Sequence, residues 1–136
     1  MAEIKMLKKE IEKNRLEKPI LKPVSDNKFQ LVADYSVKLT SGETVLIYKG
    51  YQTNGADIPR LLWRLYPPYS PEYMPAVVIH DYLCDLADEK TDKKERKNAF
   101  LFADKAFKDI LKQLNISKIK ISLFYNAVRL HHKLKG

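Results

Sequence analysis

Two segments in the middle of the chain hold the side chains best suited to chemistry. The first runs Thr53-Asn54-Gly55-Ala56-Asp57-Ile58-Pro59-Arg60 and leads into Leu61-Leu62-Trp63. The second runs Val77-Val78-Ile79-His80-Asp81-Tyr82-Leu83-Cys84. They bring a polar turn, an imidazole and an adjacent carboxylate into one region of the sequence. An imidazole held by a carboxylate can take and return a proton near neutral pH. If the second segment is helical, at about 100° per residue His80 falls near the centre of an apolar arc made by Ala76, Val77, Leu83, Cys84 and Ala87. His80 is therefore expected to face the interior, where its ring nitrogens need partners. Asp81 lies about 100° around from it, a full residue step, and is expected at the rim of the core facing another element. The natural partner for His80 is Asp104, which flanks the stripe of Ala103 and Phe107 on a later helix. This gives His80, Asp81 and Asp104 as the candidate catalytic and metal-ligating set, and Thr53, Asn54, Asp57 and Arg60 as candidate substrate-binding residues. Oxygen-rich ligation by these carboxylates, with Asn54 or Asp57, suits magnesium, calcium or manganese rather than structural zinc.

Each of these residues also has a plain structural role open to it. A single histidine on an apolar helical face is commonly a satisfied core residue. Asp57 serves equally well as the cap of a helix starting near Pro59, and Arg60 as a salt-bridge partner. Cys84 on the inward face reads as packing. His131 and His132, in the basic tail, are expected to point outward.

The elements that must position these groups follow from periodicity. Residues 2–17 carry Ile4, Leu7 and Ile11 at helical spacing, which predicts a short amphipathic helix, and Pro19 and Pro23 mark an extended connector. Phe29, Leu31, Ala33, Tyr35, Val37 and Leu39 alternate with polar residues, which predicts a half-buried strand over 28–39. Thr40-Ser41-Gly42-Glu43 supplies a turn, and 44–49 returns as a second strand. A short helix through Leu61, Leu62 and Leu65 comes next, and Ser70-Pro71 opens a helix running to about Ala87. Asp92, with Glu95 three residues on, opens another to about Leu114. In the final helix Ile119, Leu123, Ala127, Leu130 and Leu134 fall in register. The fold class is α+β: a small antiparallel sheet or hairpin, a bundle of about four helices, and an N-terminal amphipathic helix. Residues 1–24 read as the N-terminal helix and connector, and 25–136 as a single domain.

Composition narrows the setting. The 136 residues are 45% hydrophobic and 31% charged, ordinary for a globular protein that can bury a core. No apolar run is long enough to span a membrane, and the N-terminus has no apolar signal core. The lone Cys84 excludes an internal disulfide and fits a reducing compartment, so cytoplasmic synthesis is expected. Of the net charge of +8, Lys112, Lys118, Lys120, Arg129, Lys133 and Lys135 supply six positives, with no acid after Asp109. Such a basic end attracts phosphate backbones. These lysines carry no accompanying nucleic-acid motif, however, and nucleic-acid binding through residues 112–136 is not the favoured reading.

The string from Gly50 to Arg60 with Trp63, followed by Ala76-Val77-Val78-Ile79-His80-Asp81-Tyr82-Leu83, resembles a bacteriophage and prophage family catalogued as domain of unknown function 1353. Ala103-Asp104 with Phe107 is similar to that family's third motif, and Tyr125-Asn126-Ala127-Val128-Arg129 to its closing helix. The likeness covers roughly residues 28–130. It implies phage or prophage origin, location in the bacterial host cytoplasm or in the virion, and phage structural or assembly proteins as partners. It implies no established activity. Two positions depart from the family's turn: Asn54 stands where an aspartate is usual, and Asp57 where a serine is usual. Two functions are consistent with these residues. One is a small metal-dependent hydrolase in which His80 is the base, Asp104 orients it and Asp81 holds a metal or a water. The other is a virion or assembly component in which the same residues form a structural hydrogen-bond network.

Overall fold

A computed structural model of the chain describes residues 16–26, 28–54, 62 and 72–135. In them, strands β1 (Leu21–Ser25), β2 (Lys28–Leu31), β3 (Tyr35–Lys38), β4 (Thr44–Ile47) and β5 (Gln52–Thr53) precede helices α1 (Met74–Asp88), α2 (Lys93–Gln113) and α3 (Lys118–Lys135). The class is α+β, as expected. The short helix through Leu61 and Leu65 and the Ser70-Pro71 start lie outside the described residues, although Leu62 is buried. So does the N-terminal helix, apart from Leu16 and Glu17, which are not helical.

The strand expected over 28–39 forms as two pieces in two sheets. β2 sits between β1 and β5 in a three-stranded antiparallel sheet, while β3 and β4 form a separate hairpin. The break falls at Val32–Asp34, where the Asp34 carboxylate accepts the Lys49 amide at 2.8 Å and fixes the bend. Burial alternates straight through the bend: Leu31, Tyr35, Val37 and Leu39 are all buried. The apolar period therefore predicts the face and not the continuity of the strand. The Pro19/Pro23 connector is extended enough to pair as β1. β1 lies at the sheet's edge, the place where a proline's missing N–H is tolerated. Gly42 takes φ +99° in the β3–β4 turn, a conformation that favours glycine.

α1 is the central helix. Every residue from Pro75 to Asp81 is buried, so the first half of this helix is enclosed around its circumference, while Asp85, Leu86 and Asp88 give the second half an exposed face. As described, it starts at Met74 with Pro75 in its first turn. The chain reverses through 89–92 into α2, where Asp92 caps the helix by accepting the Glu95 amide at 2.9 Å. α2 closes in a Schellman turn, with Asn115 at φ +60° and the Ile116 amide donating to Leu111 at 3.1 Å. Ile79, Phe107, Ile110 and Val128 meet Leu31, Val37 and Ile47 from the sheets in one core.

α3 contradicts the expected register. Ile121, Phe124, Val128 and His132 are its buried residues, while Ile119, Leu123, Leu130 and Leu134 are exposed. The helix carries two apolar faces, and its sequence alone gives no preference between them. The face that docks is the one offering Phe124 to Phe107 and Tyr73, edge to face, at centroid distances of 5.9 and 5.4 Å.

Candidate functional site

A hydrogen bond among the described residues joins the two segments singled out in the sequence. Thr53, at the end of β5, donates its hydroxyl to Oδ2 of Asp81 on α1, and both residues are buried. Asp81 thus meets another element, as expected, but from inside the core and not at its rim. The reason is that Val78 and Ile79 extend the apolar surface of α1 around the helix. Tyr51, just before β5, adds a second tie by donating to Asp85 at 2.7 Å and meeting Tyr82 edge to face at 5.4 Å. Asn54 is exposed. Asp57 and Arg60 lie outside the described residues.

Behind this tie, His80 and Asp104 are fully buried and adjacent, with His80 Nε2 at 2.8 Å from Asp104 Oδ1. The carboxylate is shared. His132 Nδ1 lies 2.8 Å from Oδ2, and Nη1 of Arg129 donates to the same oxygen at 2.9 Å. His132 is only 5% exposed, which corrects the expectation that it points outward. Its ring turns inward because α3 docks through the Phe124/Val128 face, and His132 continues that face one turn beyond Val128. His131 alone of that pair is partly exposed. The signal that could have found His132 was its spacing from Phe124 and Val128, four residues at each step, once the other apolar stripe is discounted.

Burial by itself would push the Asp104 carboxyl up. The hydrogen bonds from His132 and His80 outweigh it, and the group is held at about 2, so it is a carboxylate at neutral pH. Both imidazoles are fixed from their faces as well as their edges. His80 lies over Phe107 at a centroid distance of 4.6 Å, and His132 over Phe100 at 4.4 Å. Nδ1 of His80 is buried with no hydrogen-bond partner among the described residues.

Cys84, one helical turn after His80, completes the cluster. Its Sγ lies 3.5 Å from His80 Nε2 and 3.6 Å from His132 Nε2. The order Cys84–His132–Asp104 is that of a nucleophilic triad, with sulfur on one ring nitrogen and carboxylate on the other. Such a nucleophile must reach a substrate, and Cys84 has no exposed surface. The same atoms converge as ligands: His80, Cys84, Asp104 and His132 each offer one donor atom, all within 4.8 Å of one another. A tetrahedral zinc with bonds of about 2.3 Å to sulfur and about 2.0 Å to nitrogen places those donors about 3.5 Å apart. Both sulfur–nitrogen separations match that edge, whereas His80 Nε2 and Asp104 Oδ1, hydrogen-bonded at 2.8 Å, would have to part by about 0.5 Å to share an ion. Asp81 is not in this cluster, since it faces Thr53. Of the residues named from the sequence, the structure brings together His80 with Asp104, and Thr53 with Asp81; Cys84 and His132 were missed as cluster members.

Among known proteins, a family model described as protein of unknown function (DUF1353) matches residues 29–128. That span begins in β2, ends in α3, and includes His80, Cys84 and Asp104 but not His132. No curated protein and no solved structure matches the chain.

Proposed function

Because the chain belongs to the family described as protein of unknown function (DUF1353), its chemistry has to be read from its own residues, and we propose that it is a metal-binding protein whose ion joins the three helices. His80 and Cys84 on α1, Asp104 on α2 and His132 on α3 are the donors. The carrying observation is the placement of Cys84 Sγ at 3.5 and 3.6 Å from two imidazole nitrogens, the edge length of a tetrahedral centre. Two nitrogens and a sulfur favour zinc over the magnesium, calcium or manganese that an oxygen-only set would select. Arg129 and the second oxygen of Asp104 then act from outside the ligand shell, orienting Asp104 and His132.

Four protein donors leave no position for water, and this favours an ion that fixes structure over one that hydrolyses a substrate. The hydrolase reading needs one donor to give way. Asp104 is the candidate, since Arg129 already holds its outer oxygen. A virion or assembly role in a phage or prophage setting is supported by the resemblance of the three motifs and agrees with a closed, structural site.

The test is to strip the protein with chelator and titrate cobalt(II) and zinc(II). Cobalt should develop the visible bands of a tetrahedral site and a thiolate charge-transfer band that Cys84→Ala removes. Zinc at a hundred times its Kd should stabilise the fold by about 2.7 kcal/mol. A protein that takes up neither ion, and whose melting temperature ignores both, has a hydrogen-bond network at this position and not a metal centre. Phosphodiester and peptide hydrolysis, assayed with and without zinc, separates the structural ion from a catalytic one.

A further inference from the structure

The face of α3 that carries His132 also borders a cavity of about 430 Å³ against the first turns of α2. Its lining includes Lys93, Arg96 and Lys97 from α2 and Arg129 and Lys133 from α3, and no acidic residue. Five cations around one concave space, with no carboxylate among them, raise the local concentration of anions. We propose that this cavity binds a phosphorylated small molecule of about mononucleotide size.

The chemistry of the lining fits such a ligand in three ways. Cavities of roughly 300–1,000 Å³ are the usual size for small organic ligands, and this one lies within that range. Arg129 commits only Nη1 to Asp104 among the described residues, which leaves the rest of a planar fork that matches phosphate geometry. Lys93, Lys97 and Lys133 are exposed and make no ion pair among the described residues, so their charges are not neutralised. Arg96 is partly engaged, by Asp88 at 3.3 Å and by the ring of Phe100. Phe100, with Leu101, gives the wall an apolar part beside the charges, which suits an organic phosphate better than inorganic phosphate alone.

The placement also divides the basic C-terminus. Arg129 and Lys133 face this cavity together with α2, whereas Lys112 and Lys118 line a different one. A concave pocket confined to the ends of two helices takes a compact ligand; a continuous phosphate backbone needs a longer track. The inference does not depend on a metal in the cluster, since Lys93, Arg96, Lys97 and Lys133 lie outside it.

The test is calorimetric titration of the full chain with AMP, ADP, orthophosphate and a short single-stranded oligonucleotide, before and after chelation. AMP and ADP should bind more tightly than orthophosphate. The double variant Lys97→Glu/Lys133→Glu should weaken them at least about tenfold, while Lys112→Glu changes their affinity less than about twofold. Both variants alter exposed residues, and an unchanged unfolding midpoint verifies that they fold. The proposal is overturned if neither nucleotide binds at millimolar concentration, or if Lys112→Glu costs as much as the double variant. It is also overturned if the oligonucleotide binds in preference to the mononucleotides and survives the cavity variant, which would make the basic surface a nucleic-acid contact.

Discussion

His132 and Asp104 lie 28 positions apart in sequence and 2.8 Å apart in space, Nδ1 to Oδ2, and this contact fastens the last helix to the middle one. Because Oδ1 of the same carboxylate meets His80, one side chain on α2 holds both of its neighbours. A buried carboxylate satisfied by two imidazoles and a guanidinium is stable only as a complete set, since each donor left without its acceptor keeps its full desolvation cost.

Replacing the shared member should therefore be severe. Asp104→Ala strands three buried or half-buried donors, and the expected loss of unfolding free energy is about 3–5 kcal/mol, measured by denaturant titration. Asp109→Ala is the comparison: it removes the bonds that this partly exposed carboxylate accepts from Thr40 and Gln113 and should cost about 1–2 kcal/mol. Equal losses in the two variants would mean that Asp104 holds nothing together.

The same carboxylate sets an acid dependence. Asp104 is held at about 2 in the fold, below the ordinary 3.8, so the folded state binds its proton less readily than the unfolded chain. Its stabilisation is thus complete above the unfolded value and is lost as pH falls from about 4 towards about 2. Unfolding midpoints measured across that window should show wild type and Asp104→Asn converging as the pH drops. A constant gap between them would be the contrary result.

The tie between the two sequence segments is separable from the cluster. Thr53→Val leaves Asp81 buried without the hydroxyl that it accepts and should destabilise the protein by about 1–3 kcal/mol. Thr53→Ser, which keeps the hydroxyl, should recover most of that loss. Neither change should alter cobalt binding, because Asp81 stands outside the donor set.

The two faces of α3 predict opposite outcomes for the same kind of change. Phe124→Ala should cost about 3–5 kcal/mol, and Leu134→Ala should fall within about 0.5 kcal/mol of wild type. Chemical unfolding of both variants in parallel checks the register directly. The reverse order would mean that Leu134 is covered and Phe124 is not.

Local chemistry in the sequence was enough for the start of α2 and for the inward residues of the strands, but not for the split of 28–39 between two sheets or the pairing of β1. Asp92 and Glu95 write the start of α2 because a cap needs only neighbours in the chain. The alternation from Phe29 to Leu39 names the inward residues because a strand has a fixed period. His80 and Asp104 were also legible as a pair, since each sits on or beside an apolar stripe where a polar group needs a partner. What the sequence does not carry is the choice between local solutions of similar quality. α3 has two apolar faces, and only the packing against Phe107 and Tyr73 selects Phe124 and Val128, bringing His132 in with them. Cys84 read as packing because a thiol on an inward face is ordinary. Its meaning changed only when His132 arrived on its other side, and that encounter belongs to the assembled core, where groups 48 positions apart come within 3.6 Å.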